Sequence, residues 1–303
     1  FISFDDVQQY IYKQYPPLVI IGSAGSGKTA ILLEKIKQLE GQILYVTLSS
    51  FLVKNSRELY YSEHYYNENQ LVDFYSYQEF LESIAVPSQN IADIDYFMSW
   101  YKANYKHKFS AHSIYEEFKG VLTGAMTDQA YLSEQGYLAL GVKQSIFHVD
   151  ERAEVYAIFK HYLQDLEKQN LADLNILSYD YLSKVKPSYD FVVIDEVQDI
   201  TAIQLYLILN SLSQKGLFLM CGDANQIVHP NFFSWAKVKS LFHRHEELHH
   251  GAEITHILQH NYRNAQRITE ISNRVLLLKN ARFGSIDKES HYLVQSNAEI
   301  QGG

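Results

Sequence analysis

Short unbroken apolar runs alternate along this chain with stretches whose apolar residues recur at helical spacing. Residues 18–21 (LVII), 191–194 (FVVI) and 217–221 (LFLMC) are strand-sized, and each predicts a strand buried on both faces, as in parallel sheets. Between them, Leu32, Ile36 and Leu39 predict a helix that starts near residue 28 and is capped by Gly41. A second helix is expected over residues 203–212, rich in Leu and Ile, and a third in ITEISNRVLLL near the end of the chain. Residues 84–188 read as largely helical; Val155, Ile158, Phe159, Tyr162 and Leu166 trace one apolar stripe in DERAEVYAIFKHYLQDLEKQ. Strands that alternate with helices and deposit polar residues at successive strand ends predict an open α/β sheet with its site at the carboxyl edge.

Composition narrows this picture. With 303 residues, 47% of them apolar, the chain can form two domains or one large domain carrying an insertion. No apolar run approaches the roughly 20 residues of a membrane span, so no membrane partner is expected. The opening FISFDDVQQY begins with Phe and has no secretory pattern, and the chain reads as a piece of a longer protein. The single cysteine, Cys221, permits no intrachain disulfide and fits a reducing, cytoplasmic setting, with its place in a buried strand. A net charge of −9 argues against bulk electrostatic coating of nucleic acid but leaves room for a narrow basic groove.

The chemistry concentrates at the strand ends. GSAGSGKT, residues 22–29, follows the first strand and opens a helix. Its glycines Gly22, Gly25 and Gly27, interleaved with Ser23, Ala24 and Ser26, allow backbone N–H groups to turn inward as an anion nest at a helix N-terminus. Lys28 would reach the β and γ phosphates of a nucleotide, and the Thr29 hydroxyl would bind Mg²⁺. YDFVVIDEVQD, residues 189–199, runs from an apolar strand into two carboxylates. Beside a phosphate loop, Asp195 would hold Mg²⁺ through its water shell and Glu196 would orient and deprotonate an attacking water. GDANQ, residues 222–226, puts Gln226 where it would hydrogen-bond the γ phosphate.

In order along the chain, FDDVQQYI, GSAGSGKT, YVTLSS, DFYSYQEF, DEVQD, GDANQ and LQHNYRN resemble the motifs of superfamily 1 helicases of the UvrD, Rep and PcrA type. The resemblance spans almost the whole chain. It implies a RecA-like P-loop NTPase with a parallel sheet and a helical insertion subdomain. The first motor lobe would comprise residues 1–83 and 189–260, the insertion residues 84–188, and the start of a second lobe residues 261–303. The implied activity is ATP hydrolysis, with Mg²⁺, coupled to movement on single-stranded DNA, or RNA; the rest of the second lobe is the implied partner, and this piece alone would translocate poorly. Gln8 would read the adenine edge, Tyr262 would stack on the ring, and Arg263 would contact the γ phosphate across the cleft between lobes. Nucleic-acid contacts would come from Ser49, Ser50 and Tyr75.

Several positions depart from the family pattern. Ala30 stands where an arginine usually flanks the adenine, and Leu48, Ser49 and Ser50 replace a Phe-Thr-Asn triplet. GDANQIVHPNFFSW lacks the arginine that relates strand binding to hydrolysis, although His229, Phe232, Phe233 and Trp235 offer rings for base stacking or for core packing. These departures keep a second reading open: a nucleotide-dependent switch or scaffold in a larger protein. YKANYKHK, residues 101–108, reads as a solvated helix face before a nucleic-acid contact. HEELH, residues 245–249, matches a zinc-protease pattern, but no third ligand follows in a suitable motif, which favours a polar helix end or loop.

Overall fold

The computed structural model describes residues 4–106, 108–223, 226, 254–283 and 292–297. Six parallel strands form its central sheet in the order β3-β2-β6-β7-β1-β8. They are β1 (Leu18–Gly22), β2 (Gly41–Thr47), β3 (Gln70–Ser76), β6 (Phe191–Ile194), β7 (Phe218–Gly222) and β8 (Thr255–Leu258). Every residue of β1, β6 and β7 is buried, which explains their continuous apolar runs: helices cover both faces. The strands' alternation divides the core into two layers. Leu18, Ile20, Tyr45, Val193 and Cys221 pack on one face with α1 (Asp6–Lys13), α2 (Lys28–Ile36) and α3 (Ser50–Tyr60). Val19, Ile21, Val46, Ile194 and Met220 pack on the other with α4 (Tyr77–Ile84), α9 (Leu174–Tyr181) and α10 (Ala202–Leu209).

Because all six strands run the same way, their carboxyl ends lie along one edge, and the phosphate loop, Asp195 and Asp223 emerge there side by side. Side-chain caps fix where the helices begin. Asp5 and Gln8 form a reciprocal capping box at α1, Ser76 and Glu79 another at α4, and Ser49 caps α3 by accepting from Leu52 N at 3.3 Å. The helix after the phosphate loop is shorter than its pattern predicts and is not capped by Gly41. It stops at Ile36, and Gln70 Nε2 donates to the carbonyls of Ile36 and Leu39 at 2.5 and 2.6 Å, tying the turn that follows the helix to the start of β3. Gly41 instead opens β2 at φ 95°, where a Cβ would lie 2.3 Å from Asp190 Oδ2.

Between β4 (Asn90–Ile91) and β5 (Leu171–Ala172) the chain builds a separate helical core from α5 (Ile94–Asn104), α6 (Ala111–Glu117), α7 (Glu134–Leu138) and α8 (Val149–Gln169). The stripe on α8 is buried as its spacing predicts, against Phe97, Phe118 and Tyr137. The 101–108 segment is in part the solvated face that its composition suggests: Lys102, Ala103, Asn104, Lys106 and Lys108 are exposed. The helix ends at Asn104, Tyr101 is buried and stacks on Tyr105, and the Tyr105 hydroxyl meets His161 Nδ1 at 2.7 Å. The aromatic residues pack inward while the lysines stay in solvent.

Two buried charged residues lie within this helical body. Glu117 is fully buried and receives hydrogen bonds from Tyr137, Ser145 and Ile146 N. Arg152, also buried, donates to the carbonyls of Phe147, Leu140 and Gly141, and its charge lies close enough to favour the Glu117 carboxylate. Burial nonetheless pushes the Glu117 carboxyl up from its ordinary range. Replacing Arg152 with Met removes a donor from three carbonyls and the positive charge that favours the Glu117 carboxylate, and is expected to destabilise the helical body by about 3–5 kcal/mol. Urea unfolding followed by circular dichroism measures the change; a loss under about 1 kcal/mol would show that Arg152 does not hold this core together.

Candidate functional site

The phosphate loop leaves β1 at Gly22 and enters α2 at Lys28, with Gly25 at φ 87° and Gly27 at φ 85°. At Gly27 a Cβ would meet Gln8 Nε2 at 2.8 Å, and at Gly25 it would meet Arg263 Cβ at 2.6 Å, so only bare backbone fits beneath these neighbours. Lys28 is buried and its Nζ donates to the carbonyls of Gly22 at 2.9 Å and Ser23 at 3.0 Å, holding the ammonium inside the curve of the loop. Ser26 Oγ is buried with no hydrogen-bond partner among the described residues. A left-handed glycine backbone at a helix N-terminus, an inward-held ammonium and an orphan hydroxyl together fit an oligophosphate anion.

Asp195 and Glu196 follow β6 at the same edge. Asp195 is 2% exposed, and its Oδ2 accepts from Thr29 Oγ1 at 2.8 Å, which brings together the two groups expected to hold Mg²⁺. The same oxygen accepts from the Tyr45 hydroxyl at 2.8 Å; Oδ1 accepts from Cys221 Sγ at 2.7 Å and Glu196 N at 2.9 Å. Burial and the Asp195 charge push the Tyr45 hydroxyl and the Cys221 thiol up, so both remain protonated donors. A hard carboxylate beside a hydroxyl suits a hydrated Mg²⁺ ion. Glu196 adopts φ 52°, a left-handed conformation rare for a residue with a Cβ, and such strain concentrates at functional sites. Burial raises its carboxyl above the ordinary range, partly offset by a hydrogen bond from Gln198 and by the Lys28 charge.

Two residues that no motif reading singled out complete this edge. Gln198 donates to Glu196 Oε2 at 2.8 Å and accepts from Asp223 N at 3.0 Å, joining the ends of β6 and β7. Asp223 Oδ2 accepts from Ala24 N at 3.2 Å and from Gln226 Nε2 at 3.0 Å, so Gln226 stands one carboxylate away from the phosphate loop.

The NYR segment lies directly on the loop. After β8 comes β9 (His260–Asn261), paired with β10 (Gln295–Ser296), and then α11 (Gln266–Phe283). Asn261 Nδ2 donates to Ala24 O at 2.8 Å while its Oδ1 accepts from Arg263 N and Asn264 N, and Tyr262 N donates to Gly25 O at 2.9 Å. Arg263 is thereby placed at an exposed rim beside Gly25. The Tyr262 hydroxyl bonds to Asp5, which also caps α1 and meets His260 Nδ1 at 3.2 Å. Gln8 is 4% exposed; its Oε1 accepts from Asp5 N and its Nε2 donates to Ser26 O at 3.0 Å. Each amide atom keeps one further hydrogen-bonding position. Lys35 anchors the far end of α1 by donating to the carbonyls of Tyr12 and Gln14. Asn261 and Asp5 carry no chemistry of their own in a motif reading, yet they bring the adenine-side and phosphate-side candidates together.

Among the candidates for nucleic-acid contact, Ser50 is exposed at the start of α3, Ser49 spends its hydroxyl on the cap beneath it, and Tyr75 is half-buried against the sheet core. Phe232, Phe233, Trp235 and His229 lie outside the described residues, as does HEELH with its neighbouring histidines. Among the described residues no helix is long and apolar enough to cross a membrane, and no His, Cys, Asp and Glu cluster is arranged to hold a metal.

Residues 51–249 match the UvrD/REP helicase N-terminal domain. A protein of Mycoplasma capricolum subsp. capricolum named "Probable DNA helicase II homolog" is 23% identical over 294 residues, 88% of this chain and 39% of its own length. The ATP-dependent DNA helicase Rep of Buchnera aphidicola is 29% identical over 150 residues, 43% of this chain and 22% of its own. The human TPR and ankyrin repeat-containing protein 1 is 28% identical over 141 residues, 43% of this chain and 5% of its own. The chain thus spans at most about two fifths of these relatives. With the parallel sheet and the motif order along its carboxyl edge, the match over more than half of its length makes this chain a member of the UvrD/Rep helicase family.

Proposed function

We propose that this chain is the ATP-binding part of a DNA motor, in which residues 1–83 and 189–260 form the first lobe, residues 84–188 its helical insertion, and residues 261–303 the start of the second lobe. The observation that carries the reading is the convergence of Lys28, Thr29, Asp195, Glu196 and Gln226 around one loop that Asn261 and Tyr262 clasp from the other side. Gly22 to Thr29 would cradle the phosphate tail, Lys28 would neutralise its terminal charge, and Thr29 with Asp195 would hold Mg²⁺. When bound, Mg²⁺ would supply charge neutralisation to the phosphate tail. Glu196 Oε accepts the proton of the attacking water, Gln226 hydrogen-bonds the γ phosphate, and Arg263 stabilises charge as the phosphoryl group leaves. Gln8 and Tyr262 would flank the adenine. Because Arg263 and the loop belong to segments joined by a few hydrogen bonds, the nucleotide's state would set how tightly the two lobes close, and closure would become movement along single-stranded DNA.

A second reading, a nucleotide-dependent switch within a larger protein, is favoured by one observation: a match of this kind also occurs within 5% of a human TPR and ankyrin repeat-containing protein. ATP turnover by the intact protein, with and without single-stranded DNA, separates the two. Many-fold stimulation by the strand, abolished in Glu196→Gln, is the expected result, and its affinity for the strand should fall as salt rises. Turnover indifferent to DNA and RNA would favour the switch.

The acid limb of turnover gives an independent check. Glu196 must be deprotonated to act as base, and burial raises its folded-state pKa. Activity is therefore expected to fall, as pH is lowered, at a higher pH than an ordinary Glu would give. A kcat profile whose acid limb sits in the ordinary carboxylate range would remove Glu196 from that role.

A further inference from the structure

Asp195 is held by more donors than its motif supplies. Thr29 Oγ1 and Glu196 N come from the phosphate loop and from DEVQD, whereas Tyr45 on β2 and Cys221 on β7 reach it from the buried faces of neighbouring strands. With two donors on each oxygen, the carboxylate has one orientation available.

Tyr45 does a second thing that Cys221 does not. Its hydroxyl stands 2.9 Å from Ser56 Oγ on α3. A phenol has one proton, and that proton goes to Asp195 Oδ2, so Ser56 is the donor in the second bond. The resulting chain, Ser56 to Tyr45 to Asp195, is buried throughout: Ser56 is 3% exposed, Tyr45 0% and Asp195 2%. Its outer end lies on the helix whose first turn carries Ser49 and Ser50.

We propose that Tyr45 is a positioning residue for Asp195, and that through Ser56 it links α3, the helix placed to meet the nucleic-acid strand, to the carboxylate placed to hold Mg²⁺. This deepens the motor reading and rests on it. A helix moves as a unit, so a strand that engages the exposed first turn of α3 displaces Ser56 with it. Hydrogen bonds weaken steeply with angle and distance, and a shift of Ser56 changes how firmly the Tyr45 hydroxyl is held toward Asp195. The family's usual arginine after its GDxxQ motif is missing from GDANQIVHPNFFSW. The buried hydroxyl chain gives this protein a route from strand contact to metal site that does not need it.

The competing explanation is that Tyr45 merely satisfies a buried phenol. Loss of a structural hydroxyl would change stability and leave metal dependence alone. The experiment follows binding of mant-ATP by fluorescence as Mg²⁺ is titrated, in the intact protein, with and without a thymidine oligonucleotide; thermal melting is recorded in parallel. Tyr45→Phe keeps the ring and removes the hydroxyl, and is expected to raise the Mg²⁺ midpoint about tenfold, the scale usual for partners that orient a metal-binding group, with metal-free mant-ATP affinity unchanged. Ser56→Ala removes the hydrogen bond to the Tyr45 hydroxyl and is expected to raise the midpoint less than Tyr45→Phe does in the absence of DNA, and to lose the shift that the oligonucleotide causes. An unchanged midpoint in Tyr45→Phe overturns the positioning role, and an oligonucleotide shift that is absent in wild type or survives in Ser56→Ala overturns the link. If Tyr45→Phe does not fold, the Ser56→Ala arm decides. A wild-type protein that binds no mant-ATP at any Mg²⁺ concentration instead overturns the motor reading itself.

Discussion

Taking a carboxylate out of water costs several kcal/mol unless donors replace its hydration shell, and Asp195 is almost completely buried. Much of the architecture answers that requirement. Its four donors come from α2 after β1, from β2, from β7 and from the turn after β6, which means that four neighbouring pieces of one sheet edge must be in register before the charge is tolerable. The strand order puts β2 and β7 on either side of β6. An antiparallel or reordered sheet would strand the carboxylate among apolar residues.

The phosphate loop is shaped by a different constraint, since its own backbone N–H and C=O groups are what its neighbours hydrogen-bond. Neighbours therefore approach until only glycine fits, and they hold the loop through its main chain: Asp223 at Ala24 N, Asn261 at Ala24 O, Tyr262 N at Gly25 O, Gln8 at Ser26 O. These four contacts come from three separate parts of the sequence. The loop is thus a junction as well as a cradle, and a change at it is felt by every element that ends there.

How much of this the sequence discloses depends on whether the deciding interaction is local. Runs such as LVII and FVVI reveal buried strands because both faces must be apolar, and the order of short motifs reveals the family because each motif is contiguous. The end of α2 is hidden, because the turn that follows it is held by a glutamine 34 residues beyond Ile36. Tyr101 and Tyr105 look like a polar helix face until α8 arrives to pack against them. Tyr45, Gln198, Asp223 and Asn261 sit inside the quoted motifs, but their roles are hidden for the same reason: each acts through a partner distant in sequence. Gln8 shows the opposite limit, since its motif is plain while its burial against Ser26 is legible only in three dimensions.

The pairing of β1 also has a bearing on how the chain is made. Leu18 lies beside Leu219, and Val19 beside Thr255, so neither neighbour of this apolar strand exists until more than two thirds of the chain has been synthesised. At about 5–20 residues per second, β1 waits on the order of 10–40 s for its first partner. The helical body between β4 and β5, built from contacts close in sequence, has time to fold during that wait. The topology that gathers the site at one sheet edge therefore sets a long interval in which the nascent strand depends on shelter from other hydrophobic surfaces.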